Sequence, residues 1–330
     1  MKIRTRFKAI AGIACLVIAP FTSFSAYSQS KYPDKPINYV VTVPPGGAAD
    51  FAGRTMAGAL SKAIDQLVVI ENKAGASGTI ATAYVAKAPA DGYTLLQGAI
   101  STHGIGPHFY TKTPYDPFKD FMSLGVIAEF PLVLAINANL PVKNLEELIA
   151  YAKKQNGKMS FASAGPGSAP HLTGELFMTE AGIKMLHVPY KGSAPAVVDV
   201  AGGQVDLMFD GFPSLMPHIK SGKLRAIAAV SPKRNSLAPD LPTFTELGYP
   251  KMISSLWYIP MVPAKTPKDV VQRLNEALTK GLNGTEAQKR LEAGGAQLVF
   301  GTPEKTQSYI KNEYDRWGVV IKKAGISTSK

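Results

Sequence analysis

Residues 41–54 read VTVPPGGAADFAGR. Two prolines and two glycines stand between an apolar β-type run, Asn38–Val43, and a helical pattern. Strand, glycine-rich turn and helix N-terminus in that order are how backbone amides are gathered around an anion. The groups that would act on a phosphate are missing, since no lysine follows the glycines and no Ser or Thr stands ready for Mg²⁺. The loop can hold an anion, and it carries nothing to transform one.

Five more loops share this character: KAGASG (Lys73–Gly78), AISTHG (Ala99–Gly104), SAGPGSAPH (Ser163–His171), YKGSAP (Tyr190–Pro195) and DGFPS (Asp210–Ser214). Each alone is ordinary punctuation between a strand and a helix. Six of them on both halves of the chain favour a common purpose, because glycine admits close backbone approach and a helix start supplies free N–H groups. A carboxylate suits such a cradle, being held by neutral groups and released again.

Catalytic templates fail in turn. GPGSAP at Gly165 has Pro170 where a dinucleotide loop needs its third glycine, and GASGT (Gly75–Thr79) misses a nucleophile elbow by one residue. The histidines, His103, His108, His171, His187 and His218, form no H-E-x-x-H pair. Neither a metal nor a cofactor is expected. His103 and His171 sit in the candidate loops and read as caps or ligand contacts rather than general bases; Ser101, Thr102, Ser163 and Ser168 read as caps or donors. Asp50 reads as a structural acid that caps its helix and pairs with Arg54 one turn on.

The rest of the chain must position these loops. Of 330 residues, 45% are hydrophobic and 18% charged, a globular composition long enough for two domains. Residues 1–28 read as a secretory signal peptide, with Lys2, Arg4, Arg6 and Lys8 before an apolar stretch and a small-residue cleavage site at Ser28. The single cysteine, Cys15, lies inside that leader, and GIAC is a poor lipidation box. The exported protein then has no thiol and no disulfide. Four of the 36 basic residues lie in the leader and none of the 24 acidic ones, so the formal charge falls from +12 to +8. The basic runs are short and lack interleaved aromatics, which argues against nucleic acid as a partner.

Beyond the leader, β-branched runs alternate with helical patterns, as βαβ units do. INYVVTV, QLVVIEN and GYTLLQG read as strands, with a helix from about Asp50 to Ile64. The beat restarts at Pro131 with PLVLAIN and an amphipathic helix opened by Asn144. The tail after Trp257 returns toward the first half. Two α/β lobes joined by more than one crossing are expected.

Ten segments in order, among them VPPGGAAD, ENKAGASG, FASAGPGSAPHLTGELF, VPYKGSAPAVVDVAGGQVDLMFD and TPKDVVQRLNEAL, give the chain its resemblance to the substrate-binding proteins of tripartite tricarboxylate transporters, the Bug family of periplasmic receptors. The resemblance implies a two-lobed periplasmic-binding-protein (Venus-flytrap, type II) fold, with lobe 1 at 29–130 and 252–330 and lobe 2 at 131–251. It implies a monomeric periplasmic receptor without catalysis, which hands a small mono- or dicarboxylate to membrane transporter subunits. A sensor role toward a membrane histidine kinase, or an exported enzyme acting on a small acid through His103 or His171, are the alternatives. Carried onto this sequence, the first-lobe contacts fall on Pro45, Gly46, Gly47, Ala48 and Asp50, on Gly75, Ala76, Ser77 and Gly78, and on Ser101 and Thr102. The second-lobe contacts fall on Ala164, Gly167, Ser168, His171, Phe209 and Asp210. Val43 joins the first set, because it stands where the family often has an aromatic.

Overall fold

The structure, a computed structural model, describes Met1 and residues 32–326. Apart from Met1, the expected leader, Cys15 and the cleavage site lie outside these residues. The described residues from Pro33 onward belong to one compact unit.

β1 (Ile37–Val41) leads to α1 (Ala48–Ile64), β2 (Val68–Asn72), a 3₁₀ turn (Ala76–Gly78), α2 (Thr79–Ala86), β3 (Thr94–Ala99), a π-helical turn (Ile100–Ile105) and α3 (Gly106–Phe109). β4 (Phe121–Ser123), β5 (Val126–Asn137), α4 (Leu145–Gln155), β6 (Ser160–Ser163) and α5 (Ala169–Ala181) follow. Next come β7 (Leu186–Pro189), α6 (Ser193–Ala201), β8 (Leu207–Gly211), α7 (Phe212–Lys220) and β9 (Leu224–Val230). The chain ends with β10 (Ser255–Pro263), α8 (Lys268–Leu282), α9 (Glu286–Ala293), β11 (Gln297–Phe300) and α10 (Pro303–Ala324).

The α/β expectation holds. β2, β1 and β3 are parallel, with Tyr39 in register between Ile70 and Leu95. β10 closes this group antiparallel to β3 and β5. In the second group β6 runs parallel to β7 and β8, while β8 and β9 run antiparallel to β5. β5 serves both groups: Val126–Glu129 pair with β11, and Leu132–Ile136 pair with β8 and β9. Pro131, which has no amide to donate, stands at the changeover opposite Ser255 of β10. The restart expected at Pro131 is thus the midpoint of a strand. Its N-terminal half escapes sequence reading because VIAEF runs on without a break.

Local signals explain most of the helix ends. The Asn144 side chain accepts 2.9 Å from the Glu147 amide, and α4 carries acids in its first turn and lysines in its last. Met56 and Leu60 of α1 are fully buried. In the second half, Phe209 meets Phe177 and Phe244 at centroid distances of 5.7 and 6.2 Å. Full burial of side chains of this size contributes about 1.5–3 kcal/mol each.

Candidate functional site

In both groups of strands the carboxyl ends deliver the chain into helix starts, and these starts meet. The first turn of α1 (Gly47, Ala48, Ala49), the start of α5 (Ser168, Pro170) and that of α6 (Gly192, Ser193, Ala194, Pro195) line one cavity of about 70 Å³. Asp210, just ahead of α7, joins them. Ser77 of the 3₁₀ turn and Ile100 and Ser101 of the π-helical turn complete the wall, with Leu256 and Tyr258 of β10. No Lys, Arg or His is among the lining residues.

The amides of Ala48 and Ala49 have no acceptor among the described residues, as a helix start requires unless a cap or ligand supplies one. Gly47 caps α1 with no side-chain bond, and Gly192 does the same for α6. These ends therefore present N–H groups and partial positive charge to the cavity. An anion can be held there without a cationic side chain. Gly46 turns the loop at φ +97°, a conformation that side chains rarely adopt. A Cβ on Gly47 would lie 3.3 Å from Ser193 Cβ, so the two glycine loops touch across the cavity.

The structure brings Val43, Pro45, Gly47, Ala48, Ser77, Ser101, Ala164, Ser168 and Asp210 together in the lining. The other expected contacts stand behind it. Gly46, Gly75, Ala76 and Gly78 shape the turns that carry lining residues. Asp50 is buried and fully engaged: Arg54 donates at 2.9 Å, Asn72 at 2.9 Å and the Gly46 amide at 3.2 Å. It splints the loop, and although burial opposes its charge, these donors hold its pKa below the usual carboxylate value. Thr102 lies 2.8 Å from His103 Nδ1, and its carbonyl accepts from Tyr115 at 2.7 Å. His103 is fully buried, and burial lowers its pKa to about 3. Phe209 points into the aromatic cluster because neighbours on a strand alternate faces, which turns Asp210 to the cavity.

Gly167 and His171 brace the same loop, the Gly167 amide donating to His171 Nδ1 at 3.2 Å. His171 stacks on His187 at 4.1 Å, and Ser163 Oγ lies 2.7 Å from His187 Nε2. A Ser–His contact of that length can pass for a nucleophile and its base. Here Ser163 is fully buried, neither residue lines the cavity, and burial pushes His187 down to about 4. Its task is to hold the turn, with the Gly165 amide donating to Ser163 Oγ at 3.1 Å. Among the described residues no three His, Cys, Asp or Glu side chains could share a metal, and no helix is long and apolar enough to cross a membrane.

Sequence reasoning singles out the loop Tyr190–Pro195 but none of its residues as a contact, and it passes over Thr42, Pro44, Ala49, Ala99, Ile100, Pro170, Leu256 and Tyr258. The signals were present. Gly192 caps a helix as Gly47 does, and Leu256 and Tyr258 are alternate residues of one strand.

Residues 52–326 match the model of the tripartite tricarboxylate transporter family receptor. Protein BugT of Bordetella pertussis is 37% identical over 322 residues, 97% of this chain and 98% of that one. The structure of periplasmic binding protein BugD is 37% identical with a TM-score of 0.86, over 90% of this chain and 99% of that chain. R. palustris Rpa4515, solved with adipate, is 36% identical with a TM-score of 0.87, over 90% and 99%. MatC (Rpa3494) from Rhodopseudomonas palustris, solved with malate, is 30% identical with a TM-score of 0.83, over 88% and 100%. The fold is the two-lobed one of periplasmic binding proteins.

Proposed function

The chain belongs to the tripartite tricarboxylate transporter receptor family, and from that premise we propose that it is a periplasmic receptor that captures a small mono- or dicarboxylate and presents it to a membrane transporter. The observation that carries this reading is a cavity walled by three helix starts with no cationic side chain. Such a wall suits reversible capture of an anion by amides. Neither His103 nor His171, the two histidines on which the enzyme alternative rests, lines the cavity. Export rests on residues 1–28.

We take residues 29–130 with 252–330, and 131–251, as the two lobes, hinged where β5 changes partners at Pro131 and where the chain re-enters β10 at Ser255. Ligand sits between them and closure seals it. Two donors on the first lobe, Ser77 Oγ at 2.6 Å and the Tyr110 hydroxyl at 2.9 Å, meet the Pro166 carbonyl of the second. One such bond is worth about 0.5–1.5 kcal/mol net. Tyr110→Phe, which does not touch the cavity, is therefore expected to weaken ligand binding roughly two- to tenfold through faster release. Stopped-flow release rates check this; an unchanged off-rate removes Tyr110 from closure.

A thermal-shift screen against citrate, malate, succinate, glutamate, adipate, nicotinate and benzoate, each beside its neutral amide, tests the whole reading. A ligand at 100 times its Kd adds about 2.7 kcal/mol. Stabilisation by at least one acid and not by its amide is expected. Equal response to acid and amide would overturn the carboxylate assignment.

A further inference from the structure

The acid in the cavity wall is the one group that an anion receptor should not want. Asp210 is fully buried, and its Oδ1 accepts 2.8 Å from the Gly211 amide. Its Oδ2 has no hydrogen-bond partner among the described residues. An orphaned carboxylate oxygen is costly in the fold and needs a reason. The elements that line the cavity around it supply no counter-charge. α6 brings the Ser193 hydroxyl, α7 the Ser214 hydroxyl and the Gly211 amide at its cap, and β10 brings Tyr258, whose own pKa is raised by burial and by the charge of Asp210. α1 brings only Ala48 and Ala49, and no cation lines the cavity.

We propose that Asp210 Oδ2 is the selectivity element of this cavity, and that the ligand is a carboxylate which also carries a hydrogen-bond donor, a hydroxyl or an ammonium, on its carbon chain. The inference rests on the carboxylate reading above and narrows it. With the ligand's carboxylate at the helix starts, whatever lies against Asp210 must be acceptable to an acceptor. A second bare carboxylate meets like charge there, and a methylene leaves Oδ2 desolvated and unpaired. A donor group answers both problems.

The electrostatics agree that Asp210 acts as an acceptor at neutral pH. Burial pushes its pKa up to about 6, while the Ser193 and Ser214 hydroxyls and the Gly211 amide hold it back, so the group is ionised above that value. Neither hydroxyl completes a bond to Oδ2. A site built to hydrogen-bond a ligand group rejects the analogue lacking it far more strongly than a site that loses only apolar contact.

Matched pairs that differ only in the donor test this by isothermal titration at pH 7.5: malate against succinate, aspartate against succinate, and lactate against propionate, with adipate as a donor-free acid of different length. The unmodified protein is expected to prefer the donor-bearing member of at least one pair tenfold or more. In Asp210→Asn, whose amide can donate, that preference is expected to fall below threefold. Succinate bound as tightly as malate and aspartate, a protein that binds adipate and no donor-bearing acid, or a preference unchanged in Asp210→Asn would each overturn the proposal while leaving the carboxylate reading intact. Failure of every acid to bind would remove that reading, and this one with it. The comparison on the unmodified protein is decisive even if the variant folds poorly.

Discussion

Gly47→Pro is expected to lower affinity for the ligand about a hundredfold while leaving a folded protein. The substitution deletes an amide at the cap of α1, and one lost donor in a desolvated site costs about 1–3 kcal/mol. It also fills space that the structure does not have, since a Cβ there lies 3.3 Å from Ser193 Cβ on the opposite loop. The two effects act on different steps. Loss of the donor weakens the contact itself, and the added ring holds the loops apart. Gly47→Ala separates them, because it keeps the amide and adds only the methyl; a loss nearer tenfold is expected. Titration calorimetry with the strongest acid from the screen reads both variants, and circular dichroism reports the fold. If Gly47→Pro binds as the unmodified protein does, the helix start of α1 is not the anion anchor.

Asp210→Asn is expected to stabilise the ligand-free protein at neutral pH by an amount on the order of 2–3 kcal/mol. The folded protein binds the Asp210 proton with a pKa of about 6, against an ordinary value of 3.8. A folded-state pKa raised in this way means that the unfolded chain gives up its proton first. Stability with respect to this group is therefore full below about pH 3.8, falls as the pH rises toward 6, and stays low above it. Each pKa unit corresponds to about 1.4 kcal/mol. Asparagine has no such titration, and its amide can donate to the Ser193 and Ser214 hydroxyls. In a chain of this size the gain corresponds to a Tm increase of about 3–5 °C at pH 7.5. The diagnostic feature is its pH dependence: the difference between variant and unmodified protein should shrink toward zero near pH 4. A difference independent of pH would mean that the effect is packing and not charge.

What local sequence could tell and what it could not divide along physical lines. The helix expected from about Asp50 to Ile64 is observed at Ala48–Ile64, because its 3.6-residue spacing and its glycine turn are local signals. Asn144 announces α4 for the same reason. The loop Ala99–Gly104 instead folds as a π-helical turn, which no short-range pattern announces. The carry-over of both Phe209 and Asp210 as contacts ignores the two-residue period of the strand that holds them, and only Asp210 faces the cavity. Which glycine loops face one another is a property of the tertiary fold. Nothing around Gly46 predicts that Ala194 will lie across from it, and this long-range pairing is why Ser193 and Tyr258 go unnamed in a reading of the sequence.

The anchor proposed at Gly47, Ala48 and Ala49 is made of main-chain N–H groups, which every residue except proline supplies. Few codon changes in those loops can erase it. The group proposed to distinguish one acid from another, Asp210, is a side chain, and a single nucleotide change can replace it. Hold and choice are thus inherited separately. A duplicated copy of this gene would keep its grip on carboxylates by default while its preference among them drifted, so descendants of one such protein can share out a pool of organic acids without ever passing through a form that binds none.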